Sequence, residues 1–411
     1  MECSRVGEME SQNQVSKAQE PVKGTTFVRT CFNGLNALSG IGILSISFAL
    51  SEGGWLSLIL LFVAAVVCCY TGLLQRRCMD TDPAIKSYPD VGERAFGHKG
   101  RVLVSIFMCL ELYLVAVEFL ILAGDNLDKL FPNMVFKFGV VKLEGKKGFV
   151  LLTALVILPT TWLSLDVLAY VSAGGVLASI MLVFCVVWAG TVDGVGFGER
   201  GLLLNWGGLP TAISLYVFCY CGHAIFPTLS NSMKDKIHFS KVLLVCYIVS
   251  TFSYGSMAIL GYLMYGERVK SQVTLNLPIN KIVTKIAIYA TLLNPLTKYA
   301  VIITPITESI EDKFLFRNNK LFSILIRTTI LISTAVVALT VPFFAYVMAF
   351  IGAFLSVTVS VIFPCLCYLR INKAAPSFGL ELVIVLMTIV VGAFVAIVGT
   401  YTSVKQIVNY L

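Results

Sequence analysis

Apolar residues run along this chain in stretches too long for the interior of a water-soluble domain. Eleven of them approach the roughly 20 residues that a helix needs to cross the core of a bilayer. They are Phe27–Leu50, Trp55–Gln75, Val102–Leu122, Phe149–Leu165, Val167–Val192 and Leu209–Ser230, then Val242–Tyr265, Ile282–Ile303, Leu321–Val341, Phe343–Leu369 and Leu380–Thr402. Polar residues gather between the runs instead of alternating within them, which predicts spanning helices and no sheet. The runs around Asp166 and around Pro342 have almost no loop between them, so each pair is expected as a tight helical hairpin. Before the first run the chain is rich in Gln, Ser and Glu with no apolar core. Residues 1–25 are therefore expected as a disordered cytosolic tail, with residues 26–411 forming one transmembrane domain whose first span is an uncleaved signal.

Composition agrees with lipid as the solvent. Of 411 residues, 57% are hydrophobic and 13% charged, against about 25% charged in soluble domains; mean hydropathy is +0.86. The net charge of +8 lies scattered through the loops, with no basic helix and no zinc spacing. That excludes a nucleic-acid partner and fits basic loops beside a membrane, where lipids are the surroundings. With the N-terminus in the cytosol, nineteen Lys and Arg residues fall on the cytosolic side and eleven on the other, and the odd span count leaves the C-terminus on the far side. Most of the twelve cysteines lie inside apolar runs and none in the far-side loops, so they read as small buried hydrophobes. Cys219-x-Cys221-x-His223 lacks a second ligand pair, and neither HExxH nor GxSxG occurs. No metal, cofactor or enzymatic activity is expected.

Two spans are interrupted. The first carries Gly34, Ser39, Gly40 and Gly42 near its middle; the sixth carries Gly222, His223 and Pro227. Glycine weakens a helix interior and proline removes a donor, so both spans are expected to break. Irregular backbone at membrane depth is tolerated where it lines a cavity. Matched interruptions in two halves point to a transporter binding site and to two inverted five-helix repeats, with the eleventh span as an addition. Unwinding after Ser39 would free the amides near Gly40, Ile41 and Gly42 at the positive end of a half-helix, which suits a carboxylate. Carbonyls freed near Cys221 to His223 would suit an ammonium, and the two together describe an α-amino acid. The plainer alternative is that Gly40 and Gly42 only let helices approach closely.

These residues resemble the amino acid/auxin permease family, and its plant vacuolar-type amino acid transporter branch most closely. The resemblance rests on Thr26 to Gly54 (TTFVRTCFNGLNALSGIGILSISFALSEGG), Tyr88 to Gly97 (YPDVGERAFG), Phe218 to Pro227 (FCYCGHAIFP), Gly261 to Gly266 (GYLMYG) and Asn294 to Tyr299 (NPLTKY). It implies the five-plus-five inverted-repeat fold with helices 1 and 6 broken, amino acid transport coupled to protons, and a vacuolar membrane. Asn36, Ser39, Gly40, Ile41 and Gly42 of span one, Tyr216, Cys219, Tyr220, Gly222 and His223 of span six, and Asn294 of span eight are the expected substrate contacts.

Four ionisable residues are weighed at membrane depth, where charge is rare and functional by default. Lys298 shares a polar face of span eight with Thr291 and Asn294, with Thr297 beside it, and could exchange a proton during a cycle. Glu111 and Glu118 share one face of span three. Glu118, the deeper, is read as proton carrier or counter-ion to Lys298, and Glu111 as a solvated acid. The expected coupling set is Lys298, Glu118 and Thr297. His223 in the break is read first as a structural donor. The rival readings are an amino acid sensor on the same fold and a carrier of auxin or another organic acid.

Overall fold

A computed structural model describes residues 24–138, 141–163, 165–314, 320–341, 344–372 and 379–410. The tail predicted over residues 1–25, apart from Gly24 and Thr25, falls outside them, and so does the turn at Pro342. The described chain is a helical bundle, as apolar runs in lipid require, because only a helix satisfies its own backbone along a single segment.

The first run is two helices, α1 (Phe27–Leu38) and α2 (Gly42–Gly53), bent by 49°. Helix α3 (Ser57–Met79) follows, then α4 (Tyr88–Leu130). Helix α4 is longer than the apolar run predicts because Ser87 and Asp90 close a capping box at its start, and it kinks at Gly97, whose φ of 67° suits glycine. A hairpin of β1 (Val135–Phe138) and β2 (Val141–Glu144), pairing Lys137 with Lys142, stands where only a loop was expected. Next come α5 (Gly145–Thr161) and α6 (Leu165–Thr191). The sixth run is α7 (Leu209–Cys219) and α8 (Phe226–Ser232), followed by α9 (Phe239–Tyr265), α10 (Ile282–Phe314) and α11 (Lys320–Thr340). The tenth begins as α12 (Phe344–Phe350), loosens into π-helical turns at Ile351–Ser356 and Thr358–Ile362, and ends as α13 (Phe363–Ile371). Helix α14 (Leu380–Tyr410) closes the chain.

Among the described residues eight helices are long and apolar enough to cross a membrane, and the bent pair α1–α2 makes a ninth. Helix α14 exposes Val390, Phe394 and Ile397 along one face, a surface that lipid solvates and water does not. The broken helices lie inside: α2 packs on α7 and α9, α1 on α6 and α9, and α4 on α10.

Candidate functional site

Span one breaks where its glycines lie. The Ser39 amide still reaches the Leu35 carbonyl, and the Gly40 amide turns back to Leu38 at 2.7 Å. The Gly40 donor is thus occupied, which corrects the expectation of a free amide there. Helix α2 starts at Gly42 after Ile41, with no side chain capping its first amides. Leu44 N turns back to Ile41 O at 3.0 Å, and the amides before it carry the positive end of the dipole. Side chains claim the carbonyls left behind: Ser39 O accepts Lys298 Nζ at 2.6 Å and Ser179 Oγ at 3.4 Å.

Span six breaks differently. Helix α7 ends at Cys219, and Pro227 sits in the first turn of α8, where its missing N–H costs nothing. The carbonyls expected to face the cavity are mostly taken. Tyr254 OH meets Cys219 O at 3.1 Å, Tyr247 OH meets Tyr220 O at 3.0 Å, and Gln75 Nε2 meets His223 O at 3.0 Å. The Gly222 carbonyl accepts the Ile225 amide at 3.0 Å. A buried carbonyl without a donor costs about 1–3 kcal/mol, and these side chains remove that cost. Tyr254 OH also bonds Leu38 O, so one hydroxyl ties the two breaks together.

Between the breaks lies a cavity of about 490 Å³. Asn36, Gly40, Ile41, Gly42, Cys219, Gly222 and Lys298 line it, bringing seven of the expected residues onto one wall. The rest stand behind. Tyr216 OH pairs with Ser57 Oγ at 2.8 Å. The Tyr220 ring packs against Tyr247 and Tyr254, and His223 Nε2 pairs with Thr71 Oγ1 at 3.0 Å. Asn294 and Thr297 are buried beside each other, joined by a 3.2 Å bond from Thr297 Oγ1 to Asn294 O. Ser39 contributes its carbonyl. Glu118 is fully buried away from the wall, and neither of its oxygens has a hydrogen bond among the described residues. No ion pair joins it to Lys298 among them, so the counter-ion reading does not hold in this conformation.

Glu111, read from sequence as merely solvated, is on the wall. Its Oε1 accepts the Cys221 thiol at 2.8 Å, while Oε2 has no hydrogen bond among the described residues. Asn33 and Ser356 add polar atoms to the same wall, each unpaired in the same sense. The seven-residue spacing of Glu111 from Glu118 marked the two as sharing one face, but gave no sign that Glu111 meets the cavity. Apolar lining comes from Val115, Phe119, Phe218, Ile225, Val301 and Ile302, while Arg29 and Thr228 are further polar members.

The wall continues to Gly24, Thr25 and Ser232 at the N-terminal end of the bundle. There Thr25 N bonds Ser232 O at 2.7 Å and Lys234 N bonds Thr25 O at 3.0 Å. The opposite end is covered by the segment before α7: Trp55 N bonds Leu202 O at 3.1 Å, Leu56 N bonds Leu203 O at 2.9 Å, and Asn205 N bonds Gly53 O at 3.1 Å. The cavity thus extends toward one end of the bundle and is capped at the other.

A family model described as transmembrane amino acid transporter protein matches residues 23–405. Among curated proteins, amino acid transporter AVT1I of Arabidopsis thaliana is 51% identical over 98% of this chain and 100% of its own length. Amino acid transporter AVT1J of the same plant is 48% identical over 94% of this chain and 92% of its own, and AVT1B is 43% identical over 94% and 72%. The match takes in both broken spans and every helix lining the cavity, and the chain therefore belongs to the transmembrane amino acid transporter (amino acid/auxin permease) family, a family of carriers and not of enzymes.

Proposed function

We propose that the chain is a proton-coupled secondary transporter of neutral amino acids. The observation that carries the reading is the polar wall at the span-one break. Uncapped amides at the start of α2 suit a substrate carboxylate, and the Glu111 carboxyl with the Asn36 and Asn33 side chains of the same lining suits its ammonium. A cavity of about 490 Å³ lies in the range of small-molecule sites. Its apolar remainder favours an uncharged side chain and disfavours an unpaired charge.

In this reading Asn36, Ile41, Gly42, Cys219 and Gly222 shape the substrate pocket, and Ser39, Tyr216, Tyr220, His223 and Asn294 hold the breaks from behind. Lys298 and Glu118 carry the coupling, with Thr297 supporting Lys298. Lys298 fastens an ammonium to the Ser39 carbonyl, so loss of its proton would loosen the break. The proposed architecture is eleven spans, counting α5 and the α7–α8 pair with the nine above, ten of them in two inverted sets of five and the eleventh an addition. The N-terminus is assigned to the cytosol from the basic-residue excess, and the membrane to the vacuole from the family branch it resembles.

The test is uptake of a labelled neutral amino acid mixture into proteoliposomes, with and without an imposed pH gradient. Accumulation that follows the gradient and collapses with a protonophore is the expected result. Lys298→Ala is expected to abolish that accumulation; unchanged uptake at equal abundance would remove Lys298 from the coupling set. Binding without uptake would instead make the protein a sensor, and neither would direct attention to auxin and other organic acids.

A further inference from the structure

Helix α4 carries an acid every seventh residue: Glu111, Glu118 and Asp125. Seven residues make almost two turns, so the three share one face, with about 10.5 Å of rise between neighbours. Their surroundings change in order along the helix. Glu111 is on the cavity wall with one open oxygen. Glu118 is fully buried, off that wall, with both oxygens open among the described residues. Asp125 lies nearer the capped end of the bundle, where Lys146 Nζ meets it at 2.5 Å and Gln272 Nε2 at 3.0 Å. The Lys146 side chain is 31% exposed and so reaches the surface.

Asp125, paired with Lys146, is the next ionisable residue after Glu118 along this face, and Asp128 follows it within one turn. Of the other charges on helices packed against α4, Glu308 and Glu311 of α10 stand near Arg327 of α11. Lys298 of α10 is held by Ser39 O, and Arg327 of α11 donates to Thr161 O at 2.9 Å. Glu118 therefore stands between an acid on the cavity and an ion pair at the far surface, with no structural bond among the described residues that explains it. An ionised carboxyl without partners is costly at such depth, which suits a group that takes a proton from one side and gives it to the other.

We propose that this face of α4 is the proton path of the transporter, separate from the path of the amino acid. The Asp125–Lys146 pair is its port at the end opposite the N-terminal segment, Glu118 is the carrier, and Glu111 is the contact with the cavity. One O–H bond forms at Glu118 as one breaks at the port side, and the reverse occurs toward Glu111; water completes each step, since the rise is too long for direct hand-over. The proposal rests on the proton-coupled reading above.

The test uses the full chain in proteoliposomes with two readouts: counterflow exchange of labelled neutral amino acids, and their accumulation under a pH gradient. Wild-type accumulation that ignores the gradient would overturn the coupled reading itself, before any variant is compared. With coupling present, Glu118→Gln is expected to keep counterflow and lose accumulation by about tenfold or more. Asp125→Asn and Lys146→Gln remove charges of opposite sign, so each should move the pH for half-maximal accumulation, in opposite directions. Wild-type accumulation by Glu118→Gln would overturn the path. Loss of counterflow along with accumulation, in a monodisperse variant, would assign Glu118 to structure and overturn it as well. Unmoved or parallel pH profiles for the two port variants would overturn the port.

Discussion

Two glycines two residues apart do different things at the break. A Cβ on Gly42 would stand 2.7 Å from Cys219 Sγ, whereas on Gly40 it would meet nothing nearer than 4.0 Å. Close helix packing thus accounts for Gly42, and the cavity accounts for Gly40. Gly42→Val should cost about 1–3 kcal/mol of stability by overpacking α2 on α7 and should abolish substrate binding, with Cys219→Ala in the same chain restoring part of the melting temperature. Gly40→Leu should keep the melting temperature and weaken binding by filling the cavity; normal affinity in both variants would argue that the break does not hold substrate. At this scale the sequence was partly legible. A lysine inside an apolar run announces itself, and Lys298 is on the wall. Within the span-six break, however, successive side chains point in different directions, and no pattern tells which meet the cavity. Tyr220 and His223 look like binding residues for their position, yet the packing of α3 and α9 around them turns both away.

At the scale of elements, glycine and proline made both breaks readable, while what holds them open was not. Tyr254, Tyr247 and Gln75 come from helices α9 and α3 and satisfy the freed carbonyls. Nothing local in the sequence near residues 219–223 names those partners. The clearest test is Tyr254→Phe, which removes the hydroxyl shared by Leu38 O and Cys219 O. It should lower stability by about 1–3 kcal/mol, read as a lower melting temperature in detergent. A melting temperature equal to wild type would mean that the breaks do not depend on that hydroxyl. The π-helical turns at Ile351–Ser356 and Thr358–Ile362 were likewise hidden in an unremarkable apolar run. They place Ser356 on the wall and Ser360 Oγ 3.1 Å from Cys221 Sγ. Such turns often mark functional sites.

For the whole molecule, an all-helical membrane protein was legible from run length alone, because lipid imposes so strong a length rule. The conformation was not, since opening and capping depend on which loops meet. The cavity reaches Thr228 and Ser232, while Leu202 and Leu203 cover the other end. Thr228→Cys should react with a membrane-impermeant thiol reagent applied on the N-terminal side and be protected by substrate. Leu203→Cys, at an exposed residue, should react only from the opposite side. Labelling of Thr228→Cys equally from both sides would contradict a capped cavity.

The clamp at Thr25 has a mechanical consequence. Because its backbone bonds both Ser232 and Lys234, the start of α1 and the end of α8 are tied together at the mouth. That joint removes a degree of freedom: these two arms cannot shut on each other like jaws. The facing part of the lining comes from α4 and α10, which carry Glu111 and Lys298 to the cavity. The bond from Lys298 to Ser39 joins α10 to the end of α1, so one buried lysine fastens the second pair of helices to the first.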